Sequence, residues 1–283
     1  ATLMPSWDTS VNYLSVIIYG MLGFELASAG SDEMKNPARE VPRAILVSGL
    51  IIIVMYTSAT IAILAAIPAA EIDLVEGLMD TLNLFFGATA GGRAFAVALG
   101  VAALFTFFSN GVTWSLGCNR AMAEAARERE FPAIMAVEHK ALGTPVGAAI
   151  MMGIVSTTVL LLYGFIAGSN SDLFWSLFAF SAVIFLIPYI LLVFSFARMR
   201  TIDPERHRPY RVPGGDGVAR LLSWLCGSLL ILALVLFIYT PGSGVEWPVL
   251  RGAIVVLAIG EITILVTETA RHPDTPDEPV QRS

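Results

Sequence analysis

Charge is scarce in this sequence. Asp, Glu, Lys and Arg together make up 14% of its 283 residues, about half of what a water-soluble domain carries. With a mean hydropathy of +0.73, that shortage excludes a soluble globular domain. Histidine is scarcer still. His139, His207 and His272 stand far apart with no metal-ligand spacing, so no metal site is expected. Cys118 and Cys226 sit at or inside apolar runs on different segments and read as small apolar residues, not as a disulfide or a metal pair. No G-x-x-x-x-G-K-[ST] loop is present to hold a nucleotide phosphate. The chain is expected to be no enzyme and to need no cofactor. Alternating ten-residue segments, the mark of a membrane β-barrel, are missing as well. A net charge of −6 gives no reason to expect a nucleic-acid partner.

What the sequence has instead is long uncharged runs. Ala44–Ile67, Ala94–Gly117, Val146–Ala167, Leu173–Ala197 and Leu221–Thr240 are each close to the ~20 residues that cross hydrocarbon as a helix. Gly252–Thr267, which contains Glu261, is expected to be the last span, extended toward Pro248. With Val11–Ala29 before them, these runs predict an all-α integral membrane protein of seven transmembrane helices. Of the 17 Lys and Arg residues, all but Arg93 and Arg251 fall on alternate loops or in the tail. By the positive-inside rule the N-terminus is outside and the C-terminus cytoplasmic, as expected for a bacterial inner membrane. The sequence opens on Ala with no basic signal peptide, so it reads as part of a longer chain. The basic loops could also touch anionic lipid.

The first span is unlike the others. Val11–Ala29 keeps Gly20 and Gly23 and carries Glu25 about two-thirds of the way along. Glycine favours backbone that a helix does not need, and a charge at bilayer depth costs about 3 kcal/mol or more. A span that keeps both makes a poor anchor. It suits a helix broken at the midplane to bind something there, since unwound backbone is tolerated only against protein or a wet cavity.

Five segments follow from these patterns: residues 1–10 outside; 11–198 with five spans; 199–220, a cytoplasmic loop; 221–269 with two spans; and 270–283, a Pro-rich tail expected to be disordered. An outer amphipathic helix is expected at about residues 70–87, its apolar face formed by Leu74, Val75, Leu78, Met79, Leu82, Phe85 and Phe86. Asn119–Phe131 is expected to continue the third span until Pro132 stops it, and Pro204–Gly217 to be irregular.

Three stretches together resemble the amino acid–polyamine–organocation (APC) superfamily of permeases: Gly23–Ala44 (GFELASAGSDEMKNPAREVPRA), Trp114–Pro132 followed by GTPV, and Arg208–Gly215 (RPYRVPGG). The outer stretch Ala65–Leu82 is most similar to the glutamate:γ-aminobutyrate antiporter branch. The resemblance covers about Val11–Thr267. It implies that the seven spans are helices six to twelve of a LeuT-like five-plus-five fold, that is, the second inverted repeat and two further helices, with helices one to five absent. It further implies an amino-acid antiporter or proton-coupled symporter carrying an amino acid or derived amine, inactive without the missing helices. A non-transporting membrane scaffold or partner-binding subunit is the alternative.

The resemblance also suggests roles for single residues. Glu25 would line the substrate path, binding an amino group or exchanging a proton. Tyr19 would close over the substrate, and Gly20, Gly23 and Phe24 would form the break. Trp114, deep in the third span, would stack on the substrate, with Asn110 one turn away facing the same cavity. Ser181, ahead of Pro188 in the fifth span, would hydrogen-bond across the bundle. Glu261 reads as a structural or subunit contact and is no site candidate. An intramembrane carboxylate fits cationic or zwitterionic cargo, whereas the outer stretch points to glutamate and γ-aminobutyrate.

The charge pattern makes the topology testable. A reporter fused after Arg200 is expected to read as cytoplasmic, and one fused after Gly168 as outside. The opposite pattern would overturn both orientation and helix numbering.

Overall fold

The computed structural model describes residues 7–23, 34–67, 77–208 and 210–269. Its eight α-helices are α1 (Trp7–Gly20), α2 (Pro37–Ala66), α3 (Gly77–Phe86), α4 (Ala90–Arg127), α5 (Val146–Ile166), α6 (Asn170–Ile202), α7 (Gly215–Ile238) and α8 (Trp247–Thr269). Six of them, α2 and α4–α8, are long and apolar enough to cross a membrane. They coincide with the six uninterrupted runs. The seventh expected span is described only to Gly23. Its helix, α1, has 14 residues, or about 21 Å of rise, which is too short to cross alone. Residues 24–33, the rest of that expected span, lie outside the described residues, as do the tail from 270 onward and the first part of the expected outer helix.

Local chemistry sets the helix ends. Asn36 starts α2 with its carbonyl accepting from the Arg39 and Glu40 N–H groups at 3.1 and 2.9 Å, and Pro37 occupies the first turn, where its missing N–H costs nothing. Ser169 caps α6: its hydroxyl accepts from the Asp172 N–H at 3.1 Å and donates to the Asp172 carboxylate at 2.8 Å. α4 ends sooner than the sequence suggested, at Arg127 and not at Pro132. The Glu130 N–H reaches back to the Ala125 carbonyl at 2.8 Å and the Arg129 N–H to Ala126 at 3.2 Å. This is a Schellman stop built on Arg129 at φ 62°, a left-handed conformation that costs an L-residue about 1 kcal/mol. A 3-10 turn, Ala133–Ala136, follows.

One departure from the all-helical expectation appears between α7 and α8. β1 (Tyr239–Thr240) and β2 (Gly244–Val245) pair antiparallel, around a turn in which Gly242 (φ 89°) and Gly244 (φ 94°) take left-handed backbone that helix cannot use.

The chain forms two compact units, one of residues 1–75 and 174–253, the other of residues 76–173 and 254–283. The core of the first joins Ala182, Val183 and Leu186 of α6, Leu230, Ala233 and Phe237 of α7, and Val249 and Ala253 of α8. Alanines at these contacts let the helix backbones approach, and close approach drives helix association where lipid is as apolar as leucine. At Gly227 of α7 the same logic is sharper: a Cβ there would lie 2.6 Å from Cζ of Phe194 on α6. In the second unit, α3 packs on α4 through buried Gly77 and Thr81, while Leu78 and Phe85 are exposed. Part of the expected apolar face meets α4 as well: a Cβ on Gly100 would lie 2.8 Å from Sδ of Met79, and the Phe86 ring sits edge-on to Phe95 at 5.0 Å. α4, α5 and the 3-10 turn bury Ala123, Met135 and Ala148 between them. The large apolar residues of most spans point outward, Phe165 being 88% exposed, as hydrocarbon-facing side chains do.

Gly227→Ala is expected to cost about 1–3 kcal/mol by overpacking, read as a lower thermal midpoint in detergent. Adding Phe194→Leu should recover most of that loss. Equal midpoints for Gly227→Ala and the parent would contradict the contact.

Candidate functional site

The backbone of α1 leaves its helical ladder at the two glycines. The Met21 N–H is shared between the Ile17 and Ile18 carbonyls, each at 3.2 Å, and the Leu22 N–H falls back on Tyr19 at 3.1 Å. Gly23 then turns to φ +106°, a conformation closed to other residues without strain. The helix thus tightens and ends at the two glycines. Gly20 lies beside α2: a Cβ on it would be 3.9 Å from the Tyr56 ring. Phe24 and Glu25, next in sequence, lie outside the described residues.

Tyr19 sits just before the break with its ring edge-on to three others. Phe178, Phe185 and Phe237 lie at centroid distances of 5.2, 5.8 and 6.0 Å, with planes within a few degrees of perpendicular. Such pairs contribute about 0.5–1.5 kcal/mol each beyond burial, so Tyr19 fastens the end of α1 to α6 and α7. Ser181 is exposed on α6, and its hydroxyl donates to the Phe178 carbonyl at 2.8 Å. The bond stays within its own helix and does not cross the bundle, because a serine can satisfy itself on the preceding turn. Asn110 and Trp114 share a face of α4 one turn apart, and both are exposed. They belong to the second unit, whereas Tyr19, Gly20, Gly23 and Ser181 belong to the first.

Two features of the first unit carry chemistry that the sequence did not disclose. The α6–α7 loop, expected to be irregular, is organised by Arg208. Its guanidinium donates to the carbonyls of Met199, Asp203, Pro204 and Arg206 at 3.3, 2.7, 3.3 and 3.1 Å, closing off the end of α6 as a cation should. Beside it, Arg200 stacks on Phe196 at 3.6 Å and pairs with Asp216 at 3.4 Å. Together with α2 these residues wall a groove of about 900 Å³, basic at its mouth and apolar on its floor. The other feature is a cavity of about 330 Å³ among α1, α6, α7 and the start of α8, into which Glu246 opens. Its residues come from five separate elements, α1, α6, α7, β1 and α8, and from Glu246 just before α8, and no sequence spacing links them. In the second unit, Asn119 on α4 is buried with its Oδ1 unbonded among the described residues. No group of three His, Cys, Asp or Glu side chains among the described residues could hold a metal ion.

Six membrane-length helices behind a broken one fit a permease, and the comparison with known families agrees: the amino acid permease profile matches residues 2–259. This chain belongs to the amino acid permease family. The permease is 33% identical over 93% of its length to a probable agmatine/putrescine antiporter of Lactococcus lactis, covering 57% of that protein. It is 25% identical over 96% of its length to the glutamate/gamma-aminobutyrate antiporter of the same organism, covering 55% of it. An uncharacterized transporter of Legionella pneumophila is 26% identical over 86% of the chain and 52% of its own length. The permease thus spans about half the length of the curated relatives it matches. Family and relatives agree with the APC resemblance, and the chain is a multi-pass integral membrane protein of the permease family, not an enzyme.

Tyr19→Ala is expected to lower the unfolding free energy by about 3 kcal/mol, while Tyr19→Phe, which keeps every ring contact, should leave it nearly unchanged. Thermal unfolding of both variants checks this. A midpoint for Tyr19→Ala equal to the parent would remove the ring cluster as the anchor of α1.

Proposed function

We propose that this permease exchanges amines or amino acids across the membrane, with cargo held at the break in its first span. The observation that carries the proposal is the ending of α1 at Gly20–Gly23, with Gly23 at φ +106° and Glu25 two positions further in sequence. Unwound backbone at a span's midpoint frees N–H and C=O groups for a ligand. A carboxylate beside them would bind an ammonium or guanidinium through charge-assisted bonds. Identity is higher to the relative named as an agmatine/putrescine antiporter than to the one named for glutamate and gamma-aminobutyrate. That ranking favours cationic cargo, as does an intramembrane acid.

In this proposal the seven spans are helices six to twelve of a five-plus-five fold, grouped as residues 11–198 and 221–269, with the C-terminus in the cytoplasm. The distribution of Lys and Arg supports that orientation. Tyr19 gates, and Phe24 belongs to the break. Trp114 and Asn110 contribute from α4, stacking on and hydrogen-bonding the cargo, and Ser181 lines the path from α6. Helices equivalent to the other half of the relatives complete the path, so the chain alone would not transport. Protons serve as the coupling ion wherever exchange gives way to symport.

Glu25→Gln keeps the size of the side chain and loses its charge. With the helices that complete the path supplied alongside, exchange of radiolabelled 1,4-diaminobutane in proteoliposomes is expected to fall by about a hundredfold, as for loss of a charged partner of about 3 kcal/mol, with the thermal midpoint unchanged. Undiminished exchange would contradict the role of Glu25. A collapsed midpoint with proportionate loss of exchange would make Glu25 structural and favour the scaffold alternative.

A further inference from the structure

We infer that the cavity at Glu246 is a second binding site of this permease, taking a primary alkylammonium ion. It lies where α1 and α6 begin, α7 ends and the β1–β2 hairpin leads into α8. Tyr13, Ser15, Trp175, Ser176, Thr240 and Glu246 supply its polar and aromatic lining. Its volume of about 330 Å³ is at the lower end of small-molecule pockets, ample for a short amine.

Three observations converge on the ligand. Among the described residues the only formal charge in the lining is the carboxylate of Glu246, which has no side-chain hydrogen bond or ion pair with them. The nearest cation in sequence, Arg251, stands 5.5 Å over the Trp247 ring and does not line the cavity. Glu246 occupies the residue before α8, its carbonyl accepting from the Leu250 N–H at 3.0 Å. The second observation is Ser15, a buried hydroxyl, 3% exposed, which lines the cavity together with Ser176 and Thr240. Hydroxyl oxygens accept from ammonium N–H groups. The third is the pair of aromatic residues, Tyr13 and Trp175, which attract an organic cation through their ring faces.

An anion would meet no positive side chain here. A bare sodium ion would gain nothing from the rings and find too few oxygens to replace its water. A primary ammonium on a short alkyl chain uses all three features: charge to Glu246, N–H donors to the hydroxyls, and methylenes against the rings. The same cargo chemistry proposed for the break would then be gathered first at this end of the helices, which the charge pattern places outside. This inference rests on that orientation for its role, and on the cavity alone for its ligand.

The test is equilibrium binding of radiolabelled 1,4-diaminobutane to the purified permease in detergent. A saturable component is expected that Glu246→Gln weakens by about tenfold or more, as loss of a charged hydrogen-bond partner does. Tyr13→Leu, at an exposed position that tolerates change, should weaken it by about threefold through loss of the ring. Glutamate should not compete, and sodium chloride should act only as ionic strength. Binding unchanged in Glu246→Gln and Tyr13→Leu, or displaced by sodium as effectively as by butylamine, overturns the site. No transport is required, so the two proposals fail separately. A permease that exchanges no amine but keeps the Glu246-dependent component loses only the transport proposal. One that exchanges amine with no such component loses only this one.

Discussion

In hydrocarbon, a backbone N–H or C=O without a partner has no water to turn to, and each costs several kcal/mol. The end of α1 is governed by that constraint. At Gly20–Gly23 the helical ladder tightens, shares one N–H between two carbonyls and turns left-handed. Such backbone persists at membrane depth only where protein or a wet cavity receives it. Tyr19 supplies the protein side of that requirement: its edge-on contacts with Phe178, Phe185 and Phe237 hold the last turn of α1 on α6 and α7. The end of α1 is thereby fixed in position on α6 and α7.

The rest of the packing follows from the same solvent. Leucine gains little by leaving lipid for protein, so most large apolar residues face outward, and in the contacts of α6, α7 and α8 the small residues Ala182, Ala233, Ala253 and Gly227 stand among Val183, Leu186, Leu230 and Phe237. Polar groups carry the specificity at the helix ends: Ser169 with Asp172, Arg208 on the carbonyls of the α6–α7 loop, Arg129 in the turn after α4. Two cavities of opposite character arise at the ends of α6. A groove rimmed by arginine lies at one end and a carboxylate pocket with aromatic walls at the other. A transporter of amines has use for the second and would be repelled by the first.

Much of this was legible in the sequence, for identifiable reasons. The six long spans could be read because a charge-free run of about 20 residues has few other uses. Glycine at two positions of the first span gave reason to expect non-helical backbone there, and α1 ends at Gly20 with Gly23 left-handed. The stop of α4 was hidden, since it depends on an arginine taking the conformation that sequence patterns assign to glycine. α3 was legible in part: Met79 and Phe86 of its apolar face meet α4, while Gly77 and Thr81 are buried too and Leu78 and Phe85 stay exposed. The Glu246 cavity was out of reach of any spacing argument. Tyr13, Ser15, Trp175 and Glu246 become neighbours only when five elements pack, and each residue alone is ordinary. Ser181 was over-read, because serine on a membrane helix so often bonds its own preceding turn.

The central claim is that this permease exchanges one amine for another. Efflux of preloaded radiolabelled 1,4-diaminobutane from proteoliposomes that hold the chain together with the helices that complete its path, timed with and without amine outside, tests it most directly. The account predicts efflux about tenfold faster or more when external amine is present, because an antiporter must bind cargo to return across the membrane. Efflux at the same rate in amine-free buffer, or none in either condition, would contradict it.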